Sequence, residues 1–124
     1  MHKHRFALPS DTSAPERARR ALESLGDLLD PRAADVHLLA TELVAISLNS
    51  TRSESGKPIA LSVELSDSAI RIEVSDDADV FDRVPVLFHG PDDRLKLIDE
   101  IADRWGITQG DEPNIWCMLE RANG

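Results

Sequence analysis

The longest regular hydrophobic pattern in the chain runs from Asp35 to Thr51 and has the spacing of an α-helix. Its apolar residues recur every three or four positions, which places them on one helix face. These residues are Val36, Leu39, Leu43 and Ile46. An Asp cap at Asp30 followed by Pro31 is typical of a helix start, so we expect a helix from there to Ser50. One acid, Glu42, interrupts the apolar surroundings.

A second helix is predicted upstream of this pattern. Ser13 has the character of an N-cap, with Pro15 in the first turn and Glu16 three residues on, the spacing of a capping box. This helix should end near Gly26. Before it, His4–Leu8 is predicted to be a short extended segment.

Strict alternation of apolar and polar residues predicts strands in the second half of the chain. Ile59–Leu65 and Ile70–Val74 form one predicted hairpin. A third helix is expected over residues 91–106, because a proline opens the segment and apolar residues then recur at helical spacing. Ile107–Gln109 and Ile115–Glu120 form a second predicted hairpin.

The predicted element order, β-α-α-β-β-α-β-β, implies an α+β domain with helices layered on one face of a largely antiparallel sheet. With 124 residues, the chain has the length of one ordinary domain, which we place over residues 1–124. We expect Trp105 and Trp116 to pack in its core.

Charge and composition narrow the function classes. The formal net charge is −9, which argues against nucleic-acid or anionic-membrane binding, because both rest on basic surfaces. The single cysteine, Cys117, excludes an internal disulfide and a cysteine-rich zinc site. No secretory leader or membrane-spanning apolar run is visible, so a cytoplasmic protein is expected.

Several segments together resemble one protein family. They are FALPSDTSAPERARRAL from Phe6, LLATELV from Leu38, the hairpin closing on Asp76, LKLIDEIADRWGI from Leu95 and IWCMLE from Ile115. In order and spacing they resemble the bacterial anti-sigma-factor serine kinases of the GHKL superfamily, which are common in actinobacteria. The resemblance implies a two-layer α/β sandwich of the Bergerat, or histidine kinase-like ATPase, fold. Its sheet would be mixed but mostly antiparallel, with three helices covering one face.

The resemblance assigns a catalytic role to the longest helix. In the family a Glu on this helix is the general base, and an Asn four residues later holds Mg²⁺ against the nucleotide phosphates. Glu42 matches the base, but Ile46 stands at the Asn position. Isoleucine offers no oxygen to a cation that prefers oxygen ligands. Asn49 lies on nearly the same helix face, but about 10 Å from Glu42 along the axis instead of about 6 Å.

The nucleotide-binding motifs of the family are matched only in part. Asp76 matches the Asp that reads the adenine amino group. The family's glycine-rich phosphate loop aligns with Asp92–Leu97, where every glycine is replaced. Arg94 and Lys96, within that segment, are candidates to contact phosphates instead of backbone N–H groups.

These matches and losses lead to a functional expectation with alternatives. The first is a regulatory protein that binds a sigma factor or an anti-sigma antagonist, with ATP- and Mg²⁺-dependent kinase activity weakened or lost. The second is an active ATP-dependent serine/threonine kinase of an antagonist protein. A third is a domain that binds nucleotide without turnover. The resemblance also implies a homodimer.

Simpler interpretations remain open for single residues. Glu42 could be an ordinary exposed helix residue, and Asp76 could simply end a strand. The acids after the second hairpin strand invite a calcium interpretation but lack the Gly and distal Glu of an EF-hand loop. His2 and His4 have the spacing of a metal pair. The basic face of the first helix is either solvated or part of a binding surface; it comprises Arg17, Arg19 and Arg20.

Overall fold

The computed structural model of the protein describes residues 2–50, 58–75, 94–108 and 114–121. Within these ranges the chain has an α+β architecture. The α-helices are α1 (Ala14–Glu23), α2 (Ala33–Ser50) and α3 (Arg94–Ile101), and a 3₁₀ helix (Gly26–Leu29) lies between α1 and α2. The strands are β1 (His2–Leu8), β2 (Ile59–Leu65), β3 (Ala69–Ser75), β4 (Arg104–Thr108) and β5 (Asn114–Glu120).

The five strands form one sheet in the order β1-β2-β3-β5-β4, and every neighbouring pair is antiparallel. The predicted hairpins are both present, and Ile59–Leu65 is a strand over the predicted residues. The mixed sheet that the family resemblance implies is not found among these strands, because none of their pairings is parallel.

The helices cover one face of this sheet, as expected. Alternate side chains of β2, β3 and β5 are buried on that face, and they belong to the same core cluster as the buried residues of the helices. Helix α2 is central and packs on β2, β3 and β5 between α1 and α3. The predicted core face of α2 is confirmed, since Val36, Leu39, Leu43 and Ile46 are all buried.

The capping box predicted for α1 is wrong. Ser13 occupies the N-cap position, but its side chain makes no cap hydrogen bond. Instead the Ser13 backbone N–H donates to Asp11 Oδ1 at 2.8 Å, and its hydroxyl donates to the same oxygen. These bonds lower the pKa of Asp11. Glu16, the expected partner of the cap, accepts from Arg19 one turn later. A nearby cation has therefore replaced the backbone as the partner of Glu16.

Two other predicted helix ends also differ from the structure. Helix α2 begins at Ala33, because the first helical hydrogen bond joins the Val36 N–H to the Arg32 carbonyl. Helix α3 ends at Ile101, several residues before the predicted end near Gly106. The reason is strand pairing: the Asp103 N–H donates to the Met118 carbonyl at 3.0 Å, and the backbone enters β4 at the next residue.

Trp105 and Trp116 lie on opposite faces of the sheet. Trp105 packs against the core beneath the helices, as predicted. Trp116 alternates with the buried residues of β5 and lies on the face away from the helices, so its predicted core position is wrong. We call that second face, where the half-buried Trp116 lies, the open face.

None of the described helices combines the length and the apolar character that crossing a bilayer requires.

Candidate functional site

The expected catalytic helix is present, and it holds Glu42 and Ile46 in different surroundings. Both residues lie on α2, four positions apart, which is about 6 Å along the axis. Glu42 is half-buried and makes an interaction of its own. Ile46 is 2% exposed and belongs to the hydrophobic core. The position that would hold a metal ligand in the family is therefore a packed apolar position in this chain.

The residues around Ile46 do not fit a magnesium ion. Mg²⁺ demands oxygen ligands in near-octahedral geometry. Ser47, the next residue, is fully buried, but it is turned about 140° around the helix from Glu42. Asn49 lies within α2, and its side chain is outside the described part of the chain. Among the described residues, no group of three or more His, Cys, Asp or Glu side chains is placed to bind a metal ion.

The remaining predicted nucleotide-binding residues are only partly described. Asp76 follows the last residue of β3 and lies outside the described residues, as do Asp92 and Asp93. Arg94 is the first residue of α3, and its side chain is likewise outside the described part. Lys96, on the first turn of α3, is exposed. Among the predicted site residues whose side chains are described, Glu42 and Ile46 are neighbours on α2.

The sequence also offered an acidic run, a pair of histidines and one cysteine as candidate functional groups. The acidic run proposed for calcium falls outside the described residues; it comprises Asp76, Asp77, Asp79 and Asp82. His2 and His4 lie on the same face of the edge strand β1, where His2 is exposed and His4 is half-buried. Burial raises the pKa of the Cys117 thiol to about 12. A thiol with so high a pKa is neutral at physiological pH and therefore a poor nucleophile.

The open face carries a cluster that the sequence analysis did not identify. The guanidinium of Arg71 on β3 stacks over the indole of Trp116 on β5, with 4.9 Å from Cζ to the ring centroid. The indole covers Gly106 on β4, where a Cβ atom would lie only 2.9 Å from Trp116 Cζ2. Alternation placed Arg71 on the wet face of its strand, whereas Trp116 was expected in the core. Their contact could not be read from the sequence, because it depends on the register between strands.

A network of arginines joins the sheet to the helical layer at one end of the molecule. Arg121 follows β5 and donates to the carbonyls of Ser66 at 2.7 Å and Leu28 at 2.6 Å. Arg32 precedes α2 and donates to the Glu120 carbonyl at 2.7 Å. It also forms ion pairs with Asp35 at 3.0 Å and with Asp103 at 3.5 Å. These bonds join the β2–β3 turn and the end of β5 to the 3₁₀ helix and the start of α2.

No protein-family model matches the chain, and no curated protein matches it at a significant level.

Proposed function

We propose that this chain is a regulatory protein-binding domain of the Bergerat, or histidine kinase-like ATPase, type that has lost phosphoryl transfer. It would act by binding a sigma factor or an anti-sigma antagonist through complementary surfaces. The α+β sheet with three helices on one face is compatible with that fold. The function itself rests on the resemblance of sequence segments together with the state of α2.

The burial of Ile46 is the observation that carries the proposal. Phosphoryl transfer from ATP needs Mg²⁺ to bridge and neutralise the phosphates. The position that holds the ion in the family is occupied in this chain by Ile46, which is buried in the core. A metal could not reach this position without opening the packing of α2.

The sequence around the start of α3 supports the same proposal. Asp92–Leu97 matches the glycine-rich loop that the resemblance implies, but every glycine is replaced, and Asp92 and Asp93 would lie near the triphosphate. Negative side chains near a triphosphate are electrostatically unfavourable. Glycines would instead let backbone N–H groups approach the phosphates.

An active kinase is the alternative, and the retention of Glu42 and Asp76 is what favours it. In that case Glu42 would be the general base, Asp76 would contact adenine, and Arg94 or Lys96 would contact phosphates. A domain that binds nucleotide without turnover would also use Asp76. We further propose a homodimer, from the resemblance alone, and a cytoplasmic location, from the sequence features described above.

Calorimetric titration with ATP and ADP, with and without Mg²⁺, tests these functions. The proposed function predicts no Mg²⁺-dependent gain in ATP affinity. Nucleotide binding that is indifferent to Mg²⁺ would indicate a ligand sensor. Micromolar ATP binding that requires Mg²⁺ would overturn the proposal in favour of the kinase. Glu42→Gln is the matched variant in that case, because it should abolish turnover while ATP binding persists.

A further inference from the structure

A groove runs across the end of the sheet where β3 begins, β4 begins and β5 ends. Its volume is about 750 Å³, and it is open to solvent along its length. A smaller hollow of about 150 Å³ shares Ala69 and Met118 with it and extends it toward β2. The groove therefore crosses the open face of the sheet on either side of Met118.

Two arginines flank Met118 on the open face. Arg71 on β3 and Arg104 on β4 are both register partners of Met118 on β5. Because neighbouring strands lie about 4.8 Å apart, the two arginines are about 10 Å from each other at the backbone. At the backbone, one apolar residue thus separates the two arginines on one surface.

Neither of these arginines is neutralised by a carboxylate within the described part of the chain. Glu64 is directly opposite Arg71, but its carboxylate pairs with Lys3 at 3.6 Å. Arg71 turns instead to Trp116, and its Nε has no hydrogen-bond partner among the described residues. Arg104 is exposed and forms no ion pair with a described residue.

A third positive charge borders the same groove. The hydrogen bonds of Arg121 all go to backbone carbonyls, those of Ser66, Leu28 and Asp30. These bonds orient the guanidinium without cancelling its charge. By contrast, Arg32 is balanced by its ion pairs. Among the described residues, three arginines without a carboxylate partner thus lie at this end of the sheet, in a chain that has 23 acidic and 14 basic residues.

One acid opposes this positive character. Glu120 is exposed at the edge of the groove, and its side chain forms no ion pair with a described residue. The other acid of the lining, Asp103, is already engaged by Arg32 and by the Glu120 N–H at 2.7 Å. Glu120 is thus the acid whose removal should make the groove more positive.

We propose that this groove binds an acidic peptide segment of a protein partner. Its carboxylates would pair with Arg71 and Arg104, and an apolar side chain between them would lie over Met118. Arginine, methionine and tryptophan are the residue types enriched where proteins bind one another. The proposal rests on the proposed protein-binding function and gives that function a partner chemistry.

The charges across the sheet favour an acidic segment over a second copy of this chain. One cross-strand row of the open face reads Lys3, Glu64, Arg71, Met118 and Arg104. Two copies meeting face to face would bring this mostly positive row close to its own like charges. An acidic segment meets complementary charge at the same row.

Fluorescence anisotropy with a labelled 12-residue peptide of equal parts Glu, Leu and Ser tests the proposal. The full chain should bind this peptide, and Arg104→Gln should raise its Kd about two- to fivefold, the effect of one largely exposed ion pair. Arg104→Gln should leave the fold intact, since this side chain makes no hydrogen bond with a described residue. Glu120→Gln should lower the Kd by about twofold.

The matched control is Arg17→Gln, which removes an exposed charge of the same sign from α1. Its Kd should equal that of the wild type. An equal rise in Kd for Arg104→Gln and Arg17→Gln would overturn the proposal. The peptide would then respond to positive charge anywhere on the protein and not to the groove. Equal affinity for a peptide with Gln in place of Glu would also overturn the proposal. So would sedimentation that shows self-association of the wild type and its loss in Arg104→Gln, because the groove would then bind a second copy.

The outcome is separable from that of nucleotide titration. Arg104 and Glu120 lie on β4 and β5, whereas the position that decides Mg²⁺ binding, Ile46, lies on α2. If the protein binds ATP in a Mg²⁺-dependent way and also binds the peptide, the proposed loss of phosphoryl transfer is wrong and the groove proposal stands. Absence of both nucleotide and peptide binding would remove only the groove proposal.

Discussion

Gly106 and Trp116 are cross-strand partners on the open face, and the indole lies directly over the glycine. A Cβ at residue 106 would lie 2.9 Å from Trp116 Cζ2, 3.1 Å from Cε2 and 3.2 Å from Nε1. The absence of a side chain at Gly106 is therefore what lets the indole lie flat across β4. In this position the indole also supports the guanidinium of Arg71.

Gly106→Ala should destabilise the protein, because the added methyl group must push the indole out of place. We expect a loss of about 1–3 kcal/mol in the free energy of unfolding, the usual cost of overpacking. Urea denaturation measures it. In a Trp116→Leu background the cost should largely disappear, since a Leu side chain can turn away from the added methyl. A cost that persists unchanged in that background would show that the indole is not its cause.

Ile46→Asn should lower stability strongly, because it places an amide in the apolar core beside α2. The expected loss is about 2–4 kcal/mol, from lost packing and an unsatisfied polar group. Ile46→Val is the matched control, with an expected loss of about 1 kcal/mol. Thermal denaturation compares the variants. Near-native stability of Ile46→Asn together with a gain in Mg²⁺-dependent ATP affinity would instead reveal a pocket at this position.

Arg121→Gln should destabilise the protein, because the backbone carbonyls that accept hydrogen bonds from the guanidinium would lose their donor. The arginine is half-buried and bonds Ser66 O, Leu28 O and Asp30 O, which joins the β2–β3 turn to the 3₁₀ helix. We expect a loss of about 2–3 kcal/mol by urea denaturation. The comparison is Arg104→Gln, which removes the same charge from an exposed side chain and should cost almost nothing. Equal stability of the two variants would mean that the bonds of Arg121 contribute little.

Cys117 should make the stability fall at high pH. Its pKa is about 12 in the folded protein because burial disfavours the thiolate, whereas an unfolded thiol has a pKa near 8.5. Between these values the unfolded chain has lost the proton that the folded chain keeps, so stability falls as pH rises. The slope contributed by this group is at most about 1.4 kcal/mol per pH unit.

The pH dependence is measured by urea denaturation between about pH 8 and pH 10.5, a range set by the unfolded thiol pKa. Cys117→Ala lacks the thiol, so its stability should fall less steeply than that of the wild type. Parallel curves for the two proteins would contradict the assignment. The native thiol should also resist alkylation at neutral pH, and unfolding should expose it.

The strands were the elements best predicted from the sequence. Ile59–Leu65 alternates apolar and polar residues without interruption. When one face of a sheet is buried, only one register of such a strand places all its apolar side chains on that face. The core face of α2 was equally readable, since its apolar residues follow the helical period. The sequence identified Ile46 both as a member of this core face and as the position of the missing metal ligand, and its burial confirms the first of these.

Helix ends depended on competing partners that lie elsewhere in the chain. Glu16 has the spacing of a capping box, but Arg19 offers its carboxylate a charged donor. Helix α3 ends at Ile101 because β4 pairs with β5, and that pairing joins residues far apart in the sequence. Local patterns fix which elements exist, whereas long-range hydrogen bonds decide where they stop.

By itself, the sequence determined the α+β class, the strands, the buried face of α2 and the loss of a metal-ligand type at Ile46. These follow from periodicity and from the chemistry of single side chains. Only the tertiary structure decided that Arg71 lies on Trp116, that Trp116 lies over Gly106, and that unpaired arginines border one groove. Strand order and register set these contacts, and neither is encoded in any one stretch of the chain.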